Sequence, residues 1–245
     1  MNDPNGLVRL GPDHHLFFQH NPYGDRWGSM SWGHAVSPDL VHWTELPVAM
    51  PGGPEEAVYS GSAVEDPAGR LLAAYTSVAP SGRQVQAQDP ANPVLTDPDP
   101  QFRDPKLIPT ADGWLLLALA QQRRVRFYTS SELRAWTPVG EFGPAGATTG
   151  EWEMPDLLRL PVGGSARTRD VLVVGVLAGG PDGGSGTQYF LGSFDGTTFT
   201  AEDAGWADCG PDFYAAASFS GLGDRAVADR GPTLRPAAHQ QHGQP

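Results

Sequence analysis

The chain has 245 residues, 39% of them hydrophobic, with a mean hydropathy of −0.34 and a formal net charge of −12. That length suits one large all-β domain, and the charge argues against nucleic acid or an anionic membrane as partner, since both demand a basic patch and none is visible. The longest apolar run, residues 114–120, is strand-sized rather than membrane-spanning, and the single Cys209 excludes an intramolecular disulfide, leaving the compartment open between secreted and cytoplasmic.

The chain starts inside a motif, Met1-Asn2-Asp3-Pro4-Asn5-Gly6, so its true N-terminus is expected upstream. Short segments rich in Val, Leu, Tyr, Phe and Trp follow at 16–19, 35–36, 62–64, 71–76, 114–120, 125–129, 171–177 and 189–194. Gly, Pro, Asp and Asn clusters separate them, which predicts many short antiparallel strands. Asp112-Gly113 and Asp195-Gly196 read as two-residue hairpin turns. With 24 Pro and 31 Gly spread throughout, no helix of useful length is expected.

The opening motif places a carboxylate beside a proline, which fixes the backbone, removes a donor and biases the preceding residue to extended conformation. Phe102-Arg103-Asp104-Pro105-Lys106 and Trp152-Glu153-Met154-Pro155-Asp156 repeat the device. Asp-Pro alone is ordinary turn chemistry, as Asp66-Pro67, Asp89-Pro90, Asp97-Pro98 and Asp99-Pro100 show. A stiffening proline near each acid, with Phe102 and Arg103 before Asp104 and Trp152 before Glu153, resembles the support that a catalytic carboxylate requires, although any one of the three motifs alone reads equally as ordinary turn chemistry.

Ser37-Pro38-Asp39-Leu40-Val41-His42-Trp43-Thr44 is echoed by Ser130-Ser131-Glu132-Leu133-Arg134-Ala135-Trp136-Thr137, an offset of 130 − 37 = 93 residues. That is about two units of the length of a four-stranded propeller blade, and residues 189–196 read as a degenerate third copy. A β-propeller follows, whose radial strands bring Asp3, Asp104 and Glu153 to one central mouth. Trp43 and Trp136, belonging to the repeat, are expected in the core. The Gly-rich stretch 179–186 lacks the ending of a phosphate loop, and the seven histidines lack metal-ligand spacing, so neither cofactor nor metal is expected. His34 reads as a hydrogen-bonded structural histidine. Residues 220–245 contain no aromatic side chain and are expected to form an irregular or disordered tail behind a domain spanning 1–219.

In this order the three acidic motifs resemble those of the glycoside hydrolase family 32 fructosidases, which include invertases, levanases and inulinases. Further matches are Phe18-Gln19-His20-Asn21-Pro22-Tyr23-Gly24, Trp27-Gly28, Trp32-Gly33-His34-Ala35, Tyr59-Ser60-Gly61-Ser62-Ala63-Val64 and Asp208 to Tyr214. The resemblance spans residues 1 to about 219. It implies a five-bladed β-propeller, here incomplete at about four blades, open at its edge and without the usual C-terminal β-sandwich. Met154 stands where the family usually has Cys.

What the resemblance implies chemically is retaining hydrolysis of terminal β-fructofuranosyl residues in levan, inulin or sucrose, with a fructose-containing saccharide as partner. Asp3 is then the nucleophile and Glu153 the acid/base, its pKa raised by Trp152 and Met154. Asp104 stabilises the transition state, held ionised by Arg103. Asn2, Gln19 and Ser60 offer polar groups to sugar hydroxyls, Trp27, Trp32 and Tyr59 flat apolar faces, and Tyr214 a further contact. Two alternatives stand beside this: a truncated relative that is inactive or binds sugar weakly, and another propeller glycosidase, such as an arabinan-cleaving one.

Overall fold

Residues 114–120 are apolar at every position because both faces of their strand are covered. In the computed structural model, which describes residues 3–53, 55–79, 82–87, 92–163, 165–210, 213–223 and 226–231, Leu115, Leu117 and Leu119 pack toward Trp152, Leu172, Val174 and Phe190. Trp114, Leu116, Ala118 and Ala120 pack the opposite way, with Val64, Ala74, Phe102 and Leu107. A strand buried on both sides loses the polar alternation of a half-exposed one.

Every sheet is an antiparallel meander, a blade. Blade 1 holds β1 (Pro4–Leu10), β2 (Asp13–His20), β3 (Ser31–Ser37) and β4 (Thr44–Met50). Blade 2 holds β5 (Ala57–Glu65), β6 (Leu71–Ala79), β7 (Gly82–Ala87) and β8 (Leu95–Thr96). Blade 3 holds β9 (Arg103–Thr110), β10 (Gly113–Ala120), β11 (Arg124–Ser130) and β12 (Thr137–Phe142). Blade 4 holds β13 (Trp152–Pro161), β14 (Thr168–Val176), β15 (Gly186–Phe194) and β16 (Phe199–Trp206). A fifth sheet pairs β17 (Tyr214–Ser218) with β18 (Ala228–Gly231).

The first strands touch in cyclic order, β1 to β5, β9, β13 and β17, and β17 touches β1. Apolar clusters fill the spaces between successive blades, and the ones at the fifth sheet join Met154 to Tyr214 and Ala215, and Leu7, Leu16 and Phe18 to Phe219. Among the described residues four sheets have four strands each and the fifth has two, and β17 fills the place between β13 and β1. Ser220 secures that place, donating its N–H to the Leu7 carbonyl (2.9 Å) and accepting from the Arg9 N–H (3.0 Å). The expectation of an irregular segment from residue 220 is therefore corrected at its start, where backbone pairing with β1 and β17 organises a stretch whose side chains carry no strand signal. Residues 232–245 lie outside the described ones.

The 93-residue repeat is the turn between third and fourth strands. Ser37 Oγ accepts from the N–H of Asp39 and Leu40, Ser130 Oγ from those of Glu132 and Leu133, and Leu40 and Leu133 share a left-handed backbone at φ 66° and 69°. In blade 4 the Asp195 carboxylate does the same for Thr197 and Thr198. Both expected two-residue turns shift: residues 111–112 join β9 to β10 with Gly113 already paired to Thr110, and 195–198 form a four-residue loop. Trp43 and Trp136 are partly buried against the blade cores. His34 stacks on Phe17 at 4.3 Å and shares a 3.0 Å hydrogen bond with His15 Nδ1.

Candidate active site

The three acids do not stand in turns. Asp3 immediately precedes β1, while Asp104 and Glu153 belong to β9 and β13, near the start of the innermost strand of each blade. Registers there are irregular, shifting between Asn5 and Val8, Val58 and Gly61, Glu153 and Asp156, Tyr214 and Ala217, and on β10 between Leu117 and Leu119 opposite β9. Such bulges bend a strand and re-aim its side chains. Because the innermost strand is the edge of its sheet, Pro4, Pro105 and Pro155 forfeit no ladder bond.

The expected extended conformation before proline fails at Asp104 (φ 57°) and Met154 (φ 49°), both left-handed. Hydrogen bonds between blades accompany this. The Asp104 N–H donates to Thr76 Oγ1 (2.8 Å), and Asp104 Oδ2 accepts from the Met154 N–H (3.1 Å). At the matching place in β1 the left-handed residue is Gly6 (φ 51°), where a Cβ would sit 2.7 Å from the Phe17 ring.

A relay of hydrogen bonds ties the acids across blades. Ser60 Oγ donates to Asp3 Oδ2 (2.8 Å), Thr76 Oγ1 donates to the Ser60 carbonyl (3.2 Å), and Thr76 in turn accepts from Asp104. Asn5 Oδ1 accepts from the Gly61 N–H (3.2 Å), pinning blade 1 to blade 2 beside it. Arg103, 5% exposed, reaches from β9 into β13: its Nη2 lies 3.3 Å from Glu153 Oε1, 3.3 Å from Glu151 Oε2 and 3.0 Å from the Trp152 carbonyl. Its Nε is 3.6 Å from Asp104 Oδ2, an ion pair without a hydrogen bond.

These surroundings push the Glu153 carboxyl up to about 8, through burial first, then the charge of Asp104, with Arg103 opposing and Asp3 adding. Its side chain keeps 21% exposure, so a proton held there remains accessible to a ligand. Trp152 contributes less directly than expected: it lies in the core between blades 3 and 4, its indole donating to Ala147. Below the acids the channel is plugged. Lys106 Nζ donates to Asp156 Oδ2 (2.9 Å) and to both Ser218 oxygens, and the void lined by Gly6, Gly61, Asp104 and Met154 is only about 10 Å³.

The remaining expected site residues divide. Trp27 is 62% exposed and stands edge-on to Tyr59 at 5.6 Å, an aromatic corner beside Ser60 and Asp3. Trp32 is fully buried, its indole donating to the Tyr59 carbonyl, and presents no face to a sugar. Gln19 is buried and spends its amide on the Val58 carbonyl (3.1 Å). Tyr214 is buried against Met154 and Ala215, and its hydroxyl has no hydrogen-bond partner among the described residues, so it backs the acid's strand rather than opening to the mouth. Asn2 lies outside the described residues. Sequence reasoning missed Thr76 and Glu151; Thr76 carries no local signal, whereas the glutamate two residues before Glu153 was in plain view.

Residues 1–228 match the family model described as the glycosyl hydrolases family 32 N-terminal domain. An extracellular exo-inulinase of Aspergillus niger is 41% identical, covering 91% of this chain and 53% of its own length. A levanase of Bacillus subtilis is 42% identical, covering 91% of this chain and 37% of the levanase. The solved β-fructofuranosidase of Schwanniomyces occidentalis, complexed with fructosyl-erythritol, superposes with a TM-score of 0.87 at 32% identity, covering 93% of this chain and 51% of that one. The chain thus spans about half the length, or less, of these relatives.

Proposed function

Because the chain belongs to glycoside hydrolase family 32, we propose that it is a retaining fructosidase, removing terminal β-fructofuranosyl residues from inulin, levan and sucrose. The observation that carries this is the gathering of three acids at one place, Arg103 lying against both Glu153 and Asp104 and Ser60 holding Asp3, in surroundings that raise the Glu153 pKa through burial and the charge of Asp104. Retaining hydrolysis needs one protonated carboxyl and one ionised carboxylate facing the same glycosidic bond. The activities for which the inulinase, levanase and β-fructofuranosidase relatives are named support fructans and sucrose as the substrate class.

In this reading an Asp3 oxygen attacks the anomeric carbon of the terminal fructose while the bond to the leaving oxygen breaks and Glu153 delivers its proton there. Water then enters; Glu153, now ionised, takes a proton from it as its oxygen displaces Asp3 from the sugar. Ser60, donating to Asp3 Oδ2, fixes the carboxylate for attack. Asp104, anchored by the Met154 N–H, has lone pairs for fructose hydroxyls and a charge that favours the oxocarbenium-like transition state. Trp27 and Tyr59 supply the flat apolar edge of the mouth.

The test is fructose release from sucrose, inulin and levan by the parent, Asp3→Asn and Glu153→Gln proteins. Activity in the parent should fall by about 10²–10⁴-fold in Glu153→Gln, and at least as far in Asp3→Asn, with folding intact by circular dichroism. Arabinose from arabinan, or a folded parent without fructose release, would overturn the reading.

A further inference from the structure

A guanidinium nitrogen such as Arg103 Nη2 has two protons to give. Three acceptors crowd it: the Trp152 carbonyl at 3.0 Å, Glu151 Oε2 at 3.3 Å and Glu153 Oε1 at 3.3 Å. With the closer carbonyl taking one proton, the two glutamates are left to share the other. Arg103 cannot relieve the competition elsewhere, because Nη1 is engaged by the carbonyl and side-chain oxygens of Gln101, both at 3.0 Å.

Glu151 is held where it can compete. Its carbonyl accepts from the Leu177 N–H (3.0 Å), and the next residue, Trp152, donates its N–H to Gln122 (2.7 Å), so the backbone is fixed on both sides. The Gln122 side chain approaches Glu151 Oε1 at 3.4 Å from the end of blade 3, and 38% of the glutamate side chain stays exposed at the rim.

We infer that Glu151 is a positioning residue for the acid: by claiming part of Arg103 Nη2, it denies Glu153 a full charge-assisted bond to the guanidinium and keeps the Glu153 proton available for the leaving oxygen. This rests on the proposed role of Glu153. The charged groups that bear on it directly are Asp104 and Arg103 from β9 and Asp3 from the approach to β1, while Glu151, from the approach to β13, reaches it through Arg103; Lys106 is engaged on Asp156 and Ser218. A carboxylate with sole use of the second Nη2 proton is better stabilised as the anion and gives up its own proton at lower pH.

The variant is Glu151→Gln, which keeps the shape and removes the charge. Two readouts are taken on the whole chain: titration of Glu153 by NMR of carbon-labelled glutamate carboxyls, assigned with Glu153→Gln, and kcat/KM on sucrose against pH. In Glu151→Gln the Glu153 titration and the alkaline limb should both move down by about half to one pH unit, the acid limb staying in place. An unmoved Glu153 titration overturns the inference whether or not the chain is active. A parent that releases no fructose sinks the proposed function instead, and the titration still decides whether Glu151 governs that proton. Loss of rate with an unshifted profile would mean a merely structural part for Glu151 and would also overturn it.

Discussion

At the scale of residues, the raised pKa of Glu153 has two measurable consequences. In the proposed mechanism the carboxyl must be protonated, so kcat/KM should fall as pH climbs past about 8. Stability follows the same proton. Between the ordinary value of 4.5 and the folded value of about 8, the folded chain keeps a proton that the unfolded chain has released. The contribution is therefore fully present below 4.5 and is lost as pH rises toward 8. Glu153→Gln should accordingly melt higher than the parent at pH 7.5 and close to it at pH 4.5; equal differences at both pH values would contradict the assignment. The three acids were legible because each stands one or two residues before a proline in an ordered set of motifs. Ser60, Gln19 and Tyr214 were legible only as residue types suited to sugar. Their partners are internal, namely Asp3, Val58 and the Met154 cluster, and no spacing in the sequence reveals a hydrogen bond across blades.

Among the elements, all eight predicted segments fall on strands, with only Leu177 beyond its strand's end, because β-branched and aromatic residues survive the pattern test. The innermost strands β1, β9 and β13 escaped it. Each begins with proline or carries one near its start, which in an interior strand would be prohibitive and at this inner edge is not. Their bulges need support from below, and the Lys106–Asp156 pair supplies it, with side-chain exposures of 12% and 3%. Lys106→Met should leave Asp156 buried beside only the Ser218 and Leu157 N–H groups and cost about 3–5 kcal/mol in urea unfolding. A loss below about 1 kcal/mol would show the pair to be dispensable.

For the whole molecule, the repeat of 93 residues predicted blades, but not how the ring closes. Closure depends on β17 and on Ser220, whose Oγ donates to the Ala63 carbonyl (2.9 Å) and whose backbone pairs with β1, in a stretch with nothing strand-like in its composition. Ending the chain at Gly210 should therefore expose the facing sides of β1 and β13, lower the melting temperature and broaden the transition; an unchanged sharp melt would show four blades to be self-sufficient. The contact between Ser220 and Leu7 joins residues 213 apart in sequence, so it also fixes an order in time. During synthesis each blade can form from neighbouring hairpins as it emerges, and Asp3 then waits for Asp104 and Glu153 to arrive in turn. The last link, available only when β17 has left the ribosome, converts a curved array of sheets into a ring around acids that Ser60, Thr76 and Arg103 already tie together across blades 1 to 4.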